Sequence, residues 1–148
     1  MKNKKEKKII TRIFSAEIGK SLELPLIKTK IKAGFPSPAS DYVESTLDLN
    51  EHLIQHPSAT FFLRVEGNSM INAGIRSGDL LVVDRAVQVD SNNIIIASID
   101  EELTVKRMKV KKGKYYLIPE NDEFNPIEVT PEMEFSVWGV VTHVIHRV

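Results

Sequence analysis

From Thr60 onward the pattern of apolar and polar residues turns to strands, alternating in some runs and continuously apolar in others, and short turn signals separate the runs. Phe61–Glu66 reads as the first strand and Leu80–Val83 as a buried one. Ile94–Ile99 and Leu103–Val110 read as a hairpin around Asp100-Glu101-Glu102. Lys112-Gly113-Lys114 turns the chain into Tyr115–Ile118, Ile127–Val129 is a short strand, and Phe135–Ile145 closes the domain. Gly67 and Gly74 bracket a segment in which Met70–Ile75 suggests a helical turn, and Ser77-Gly78-Asp79 is a turn signal. These runs predict a mostly β domain, a compact barrel-like body or a pair of packed sheets.

The pattern before Thr60 is different. Asp48 to Gln55 predicts a short helix with Leu49, Leu53 and Ile54 as apolar positions and Pro57 beyond its end. Residues 33–48 carry Pro36, Pro38 and several serines, and read as an exposed linker without regular structure. Residues 1–32 show mixed polarity with few turn signals, and only a weak extended pattern around Lys8–Phe14. The expectation is a flexible N-terminal arm ahead of the β domain.

Composition narrows the class. A chain of 148 residues is long enough for one domain with a real core, and 42% hydrophobic residues suit a soluble globular protein. There is no cysteine, so no disulfide framework and no cysteine-based metal site, as fits the cytoplasm. No apolar run is long enough to span a bilayer, and the lysine-rich start lacks the apolar stretch of a signal peptide. Net charge is zero but unevenly spread: residues 1–33 hold ten basic and three acidic side chains, formally +7, and residues 34–148 hold ten basic and seventeen acidic ones, formally −7. Five lysines in the first eight residues read as a solvated tail rather than a nucleic-acid contact.

The candidate chemistry lies in Gly67-Asn68-Ser69-Met70 and in Lys106 of Thr104-Val105-Lys106-Arg107-Met108. A serine hydroxyl attacks well only when a base removes its proton. A lysine serves as that base when its amine is neutral, and free lysine titrates near ~10.4, so burial must favour the neutral form. Lys106 interrupts an alternating run, and its same-face neighbours are Thr104 and Met108, not acids. Upstream, Ala33-Gly34 is a small pair in a Pro-rich stretch, which fits a cuttable peptide. Each residue also fits a plainer role: a turn serine, a solvated strand lysine, a small pair in a linker.

His52, His56, His143 and His146 have no acid or cysteine at ligand spacing, which predicts structural or surface roles and no metal site. Asp79 and Asp84 read as turn and strand-end acids without a histidine partner, and Trp138 as core or dimer packing. No Gly-rich phosphate loop is present, and no cofactor is expected.

Gly34-Phe35-Pro36-Ser37-Pro38-Ala39, Ile54-Gln55-His56-Pro57-Ser58-Ala59-Thr60, Gly67-Asn68-Ser69-Met70 and Gly78-Asp79-Leu80-Leu81-Val82-Val83-Asp84 resemble the LexA/UmuD-type self-cleaving serine peptidases. The resemblance runs from about Ala33 to the C-terminus. It implies a Ser69/Lys106 dyad that cuts Ala33–Gly34, with backbone amides at Asn68 and Ser69 holding the oxyanion. The cut removes residues 1–33 and leaves residues 34–148 as the peptidase and dimerisation domain. The resemblance further implies a homodimer, stimulation by a RecA–single-stranded DNA filament, and an SOS-mutagenesis role as a subunit with a UmuC-type translesion polymerase. A LexA-like or phage-type self-cleaving repressor is the alternative, and it calls for a helix-turn-helix module that residues 1–33 do not supply. The Ala-Gly pair is of the LexA kind, where UmuD-type members often have Cys-Gly.

Overall fold

Strand-forming runs dominate the computed structural model, which describes residues 13–15, 19–27, 33–34 and 44–148. In chain order the elements are β1 (Ile13–Ser15), β2 (Glu23–Ile27), β3 (Glu44–Asp48), α1 (Leu49–Leu53), β4 (Thr60–Arg64), β5 (Leu80–Asp84), β6 (Ile94–Ile99), β7 (Glu102–Lys111), β8 (Lys114–Ile118), β9 (Ile127–Glu128) and β10 (Phe135–Ile145). They fall into two units, residues 17–55 and residues 1–16 with 56–148.

The larger unit is one eight-stranded sheet in the order β1-β4-β5-β10-β6-β7-β8-β9, antiparallel at every pairing. The mostly β expectation holds. Its hairpins follow from local chemistry. Asp100 and Glu101 (φ 48° and 68°), then Lys112 and Gly113 (φ 74° at the glycine), sit in left-handed backbone between β6, β7 and β8. Two consecutive positive φ values give the twist that matches flanking strands.

Both faces of the central strands are buried, which explains why they read as continuous apolar runs. Ile96 packs with Phe61, Leu63, Met70, Ile75, Leu81 and Val83, while its neighbours Ile95 and Ala97 pack with Met108, Leu117 and Val140. Successive side chains point to opposite faces, so one strand feeds two clusters. Trp138 joins the first cluster and meets Phe61 edge-on, with ring centroids 6.5 Å apart. β10 shifts register between Val137 and Gly139 and again between Val141 and His143. Gly139 lies against β5 so closely that a Cβ there would stand 2.7 Å from Val83 Cγ1 and 3.1 Å from the Asp84 carbonyl oxygen.

The smaller unit corrects two expectations. Residues 23–27, where no pattern was expected, form β2, and residues 44–48, expected within a linker, form β3. The two pair antiparallel with Pro25 opposite Thr46. A two-stranded pair leaves alternate N–H groups facing outward, and proline is tolerated at such edge positions. Asp48 then caps α1, accepting from the Asn50 amide at 2.9 Å and the Glu51 amide at 3.4 Å. Its other oxygen accepts from the Leu22 amide at 2.8 Å and from Ser21 Oγ at 3.0 Å. The expected helix over Asp48–Gln55 is thus a single capped turn, Leu49–Leu53. Most of the basic tail, and the weak pattern at Lys8–Arg12, lie outside the described residues; Ile13–Ser15 is the edge strand β1 and pairs with β4.

Candidate active site

Ser69 lies in the loop between β4 and β5, just before the 3-10 turn Ile71–Ala73. Gly67, with φ 98°, redirects the chain as it leaves β4. The turn at residues 76–79 braces this exit: Ser77 Oγ accepts from the Gly67 amide at 3.1 Å, the Gly78 amide donates to the Val65 carbonyl at 2.8 Å, and the Val65 amide donates to the Asp79 carbonyl at 2.9 Å. On the other side the loop after β8 holds it. The Glu120 amide donates to the Ser69 carbonyl and the Asn72 amide to the Glu120 carbonyl, both at 2.8 Å, and Asn121 Nδ2 donates to the Asn68 carbonyl at 2.9 Å.

Lys106 projects from β7, opposite Ile95 of β6. Only 8% of its surface is exposed, although it is a lysine in the middle of a strand. Its Nζ lies 3.0 Å from Ser69 Oγ, 2.8 Å from Thr104 Oγ1 and 2.9 Å from the Val105 carbonyl oxygen. Among the described residues no carboxylate pairs with it. Burial therefore acts unopposed and lowers its pKa below the ordinary lysine value. The three contacts suit both protonation states. The ammonium donates to all three oxygens; the neutral amine donates to Thr104 and Val105 and accepts the Ser69 hydroxyl proton.

A cleft of about 60 Å³ opens at Ser69, lined in part by Leu63, Val65, Met70, Ile96 and Thr104. Its small volume favours small side chains, and its walls mix these apolar groups with polar ones, Arg64 and Glu66 among them. Arg107, next to Lys106, ion-pairs with Glu120, so β7 is tied to the loop that holds Ser69.

The sequence of the chain has known kin. The Peptidase S24-like family matches residues 25–142. The chain belongs to this family. Protein ImpA of Escherichia coli is 47% identical over 129 residues, covering 83% of each chain. Protein MucA of Salmonella typhimurium is 44% identical over 121 residues, covering 81% of this chain and 82% of the relative. The LexA repressor of Aeromonas hydrophila is 45% identical over 125 residues, but the match covers 84% of this chain and only 59% of that repressor. This Peptidase S24-like chain is of the UmuD type, and the LexA-type alternative is less well supported.

The two residues singled out by their chemistry, Ser69 and Lys106, meet in this Peptidase S24-like fold. Among the described residues, the Asn68 and Ser69 amides have no acceptor. Ala33 and Gly34 form an exposed bend in the smaller unit, with Gly34 at φ 122°. No helix among the described residues is long and apolar enough to cross a membrane.

The expectation for the acids needs correction. Asp79 and Asp84 do sit at a turn and a strand end, but each is buried and each has a histidine partner. His146 Nδ1 is 2.6 Å from Asp79 Oδ1, and His56 Nδ1 is 2.6 Å from Asp84 Oδ2. The pairs span 67 and 28 residues, so only the β5–β10 and β4–β5 pairings bring them together. Burial pushes the Asp79 carboxyl up, but the Arg76 amide and then His146 outweigh it and hold its pKa below the usual carboxylate value. The braces at Glu120 and Asn121 were also not foreseen; the Pro119-Glu120-Asn121-Asp122 run signals a turn but not what the turn holds.

Proposed function

We propose that this chain is a UmuD-type protein of the SOS response that cuts itself once, at Ala33–Gly34, through a Ser69/Lys106 dyad. The observation that carries the reading is the 3.0 Å contact between Ser69 Oγ and a buried Lys106 Nζ with no acidic partner among the described residues. Lys106 takes the hydroxyl proton as Ser69 Oγ attacks the Ala33 carbonyl carbon. The Ser69 amide, with that of Asn68, stabilises the oxygen as it becomes negative. Collapse breaks the peptide bond, and the Lys106 proton passes to the departing Gly34 nitrogen. Lys106, neutral again, then removes a proton from water, which hydrolyses the Ala33 ester and regenerates Ser69. This follows the triad logic with lysine in the place of histidine.

On this reading residues 1–33 are released and residues 34–148 are the working form. It acts as a homodimer with a UmuC-type polymerase in translesion synthesis, and a RecA–single-stranded DNA filament stimulates the cut. Membership of the Peptidase S24-like family and similarity to ImpA and MucA support the assignment. The test is intact-mass analysis of the full chain after incubation with RecA, single-stranded DNA and ATP, alongside Ser69→Ala. Two fragments that meet at Ala33–Gly34 in the wild type and none in Ser69→Ala are expected. Fragments ending at Ala33 in Ser69→Ala would remove the serine from the mechanism.

A further inference from the structure

The directions of two amides beside the nucleophile are set by the loop after β8. A trans peptide group is planar, so its C=O and N–H point opposite ways. The Asn68 carbonyl accepts from Asn121 Nδ2 at 2.9 Å and, at a longer 3.3 Å, from the Ile71 amide; the Ser69 carbonyl accepts from the Glu120 amide at 2.8 Å. Both carbonyls are thus turned toward residues 120–121. The N–H groups that share their peptide planes, on Ser69 and Met70, are turned away from that loop, and among the described residues neither has an acceptor. Ser69 and Met70 both line the cleft.

Asn121 is itself held for this task. Its Oδ1 accepts from the Glu123 amide at 3.0 Å, and its own carbonyl accepts from the Phe124 amide at 3.1 Å. With Oδ1 so engaged, the NH2 end faces the Asn68 carbonyl. The reverse placement would set donor against donor and acceptor against acceptor. Glu120 is anchored through its ion pair to Arg107 of the lysine-bearing strand.

We propose that Asn121 is a positioning residue for the oxyanion site: by holding the Asn68 carbonyl it aims the Ser69 amide at the carbonyl oxygen under attack. The proposal rests on the Ser69/Lys106 reading. It assigns Asn121 no contact with substrate and no part in proton transfer. A bond that merely staples the loop would affect stability; a bond that aims the amide affects the rate at every pH and leaves the lysine's titration alone.

The test uses the full chain and three variants: Asn121→Ser, Asn121→Asp and Ser69→Ala. Serine is neutral and too short to reach the Asn68 carbonyl. Aspartate keeps an oxygen for the Glu123 amide and replaces the donor by a second acceptor. Self-cleavage rates are measured from pH 7 to 10 by mass, with thermal melts of each variant. Removing an oxyanion donor outright costs about 10²–10³ in rate, so losing its aim should lower the rate about tenfold or more in both Asn121 variants. The pH midpoint of Asn121→Ser should stay at the wild-type value, because Lys106 and its three partners are untouched. If Asn121→Ser melts early, Asn121→Asp, with its turn intact, carries the rate comparison. Rates within about twofold of wild type, or a fall that comes with a displaced midpoint in Asn121→Ser, overturn the proposal. Should Ser69→Ala still cut, the dyad reading fails; should Ser69→Ala be inert while Asn121→Ser cuts normally, only the role of Asn121 fails.

Discussion

At the scale of single residues, Lys106 couples stability to chemistry. Its native pKa lies below the unfolded value of ~10.4. Between those two values the unfolded chain holds the extra proton, so native stability rises with pH across that window. Below the native value the full cost of burying the charge applies. Lys106→Met should therefore raise the melting temperature at pH 7, and the advantage should shrink as pH climbs toward ~10.4. Thermal melts in a Ser69→Ala background check this without self-cleavage; an advantage that is independent of pH would remove the buried charge as its cause. On the proposed reading the same amine sets the rate. Self-cleavage without RecA should be slow at neutral pH and accelerate toward pH 10 as the amine loses its proton. Lys106→Ala should lose that alkaline acceleration, and Lys106→Arg should not restore it, because a guanidinium stays charged. A flat wild-type profile, or alkaline cleavage surviving in Lys106→Ala, would exclude lysine as the base.

Between elements, both ends of β5 are fixed by histidines from neighbouring chain segments. His146, just past β10, holds Asp79; Asp79 in turn orders the turn whose Ser77 and Gly78 brace Val65 and Gly67 ahead of Ser69. His146→Ala leaves a buried carboxylate short of a partner and should cost about 1–3 kcal/mol, read by urea unfolding at pH 7. Because the native pKa of Asp79 is lowered, its contribution is complete above ~3.9 and is lost as pH falls through the native value. The gap between variant and wild type should accordingly narrow in acid. The contact of β10 with β5 depends on Gly139. A methyl group there would press on Val83 Cγ1 and on the Asp84 backbone. Gly139→Ala should lose about 1–3 kcal/mol through overpacking, with its unfolding midpoint lowered in proportion.

For the whole molecule, the proposed cut is also a separation of charge. The intact chain is formally neutral, whereas residues 34–148 carry a formal −7. Cleavage at Ala33–Gly34 should hence convert a weakly retained protein into one held firmly by an anion exchanger at pH 7. A product that elutes with the intact chain would place the cut elsewhere. On the proposed reading bond choice depends on Gly34, whose φ of 122° suits glycine and strains any other residue. Gly34→Glu should block processing, while Ser69 still reacts with a small serine-directed probe. Normal fragments from this variant would show that another bond is scissile.

Local pattern predicted every strand of the body from β4 to β10, by alternation where one face is exposed and by short apolar runs between turn signals where both faces are buried. Ser69 and Lys106 stood out by type and setting, and the family pattern around them was readable residue by residue. β2 and β3 were not legible: β2 is exposed along its length and needs no alternation, and Pro25 argues locally against a strand. Nor were His56–Asp84, His146–Asp79 or the hold of Asn121 on Asn68, since partners 28, 67 and 53 residues apart leave no local signature. The sequence by itself thus determined the strands of the body, the family, and the two side chains proposed to react. Tertiary structure decided how deeply Lys106 is buried, which acceptors surround its amine and which groups hold the loop of Ser69. Those properties depend on which strands become neighbours, and that is set by the packing of two cores rather than by any local run of residues.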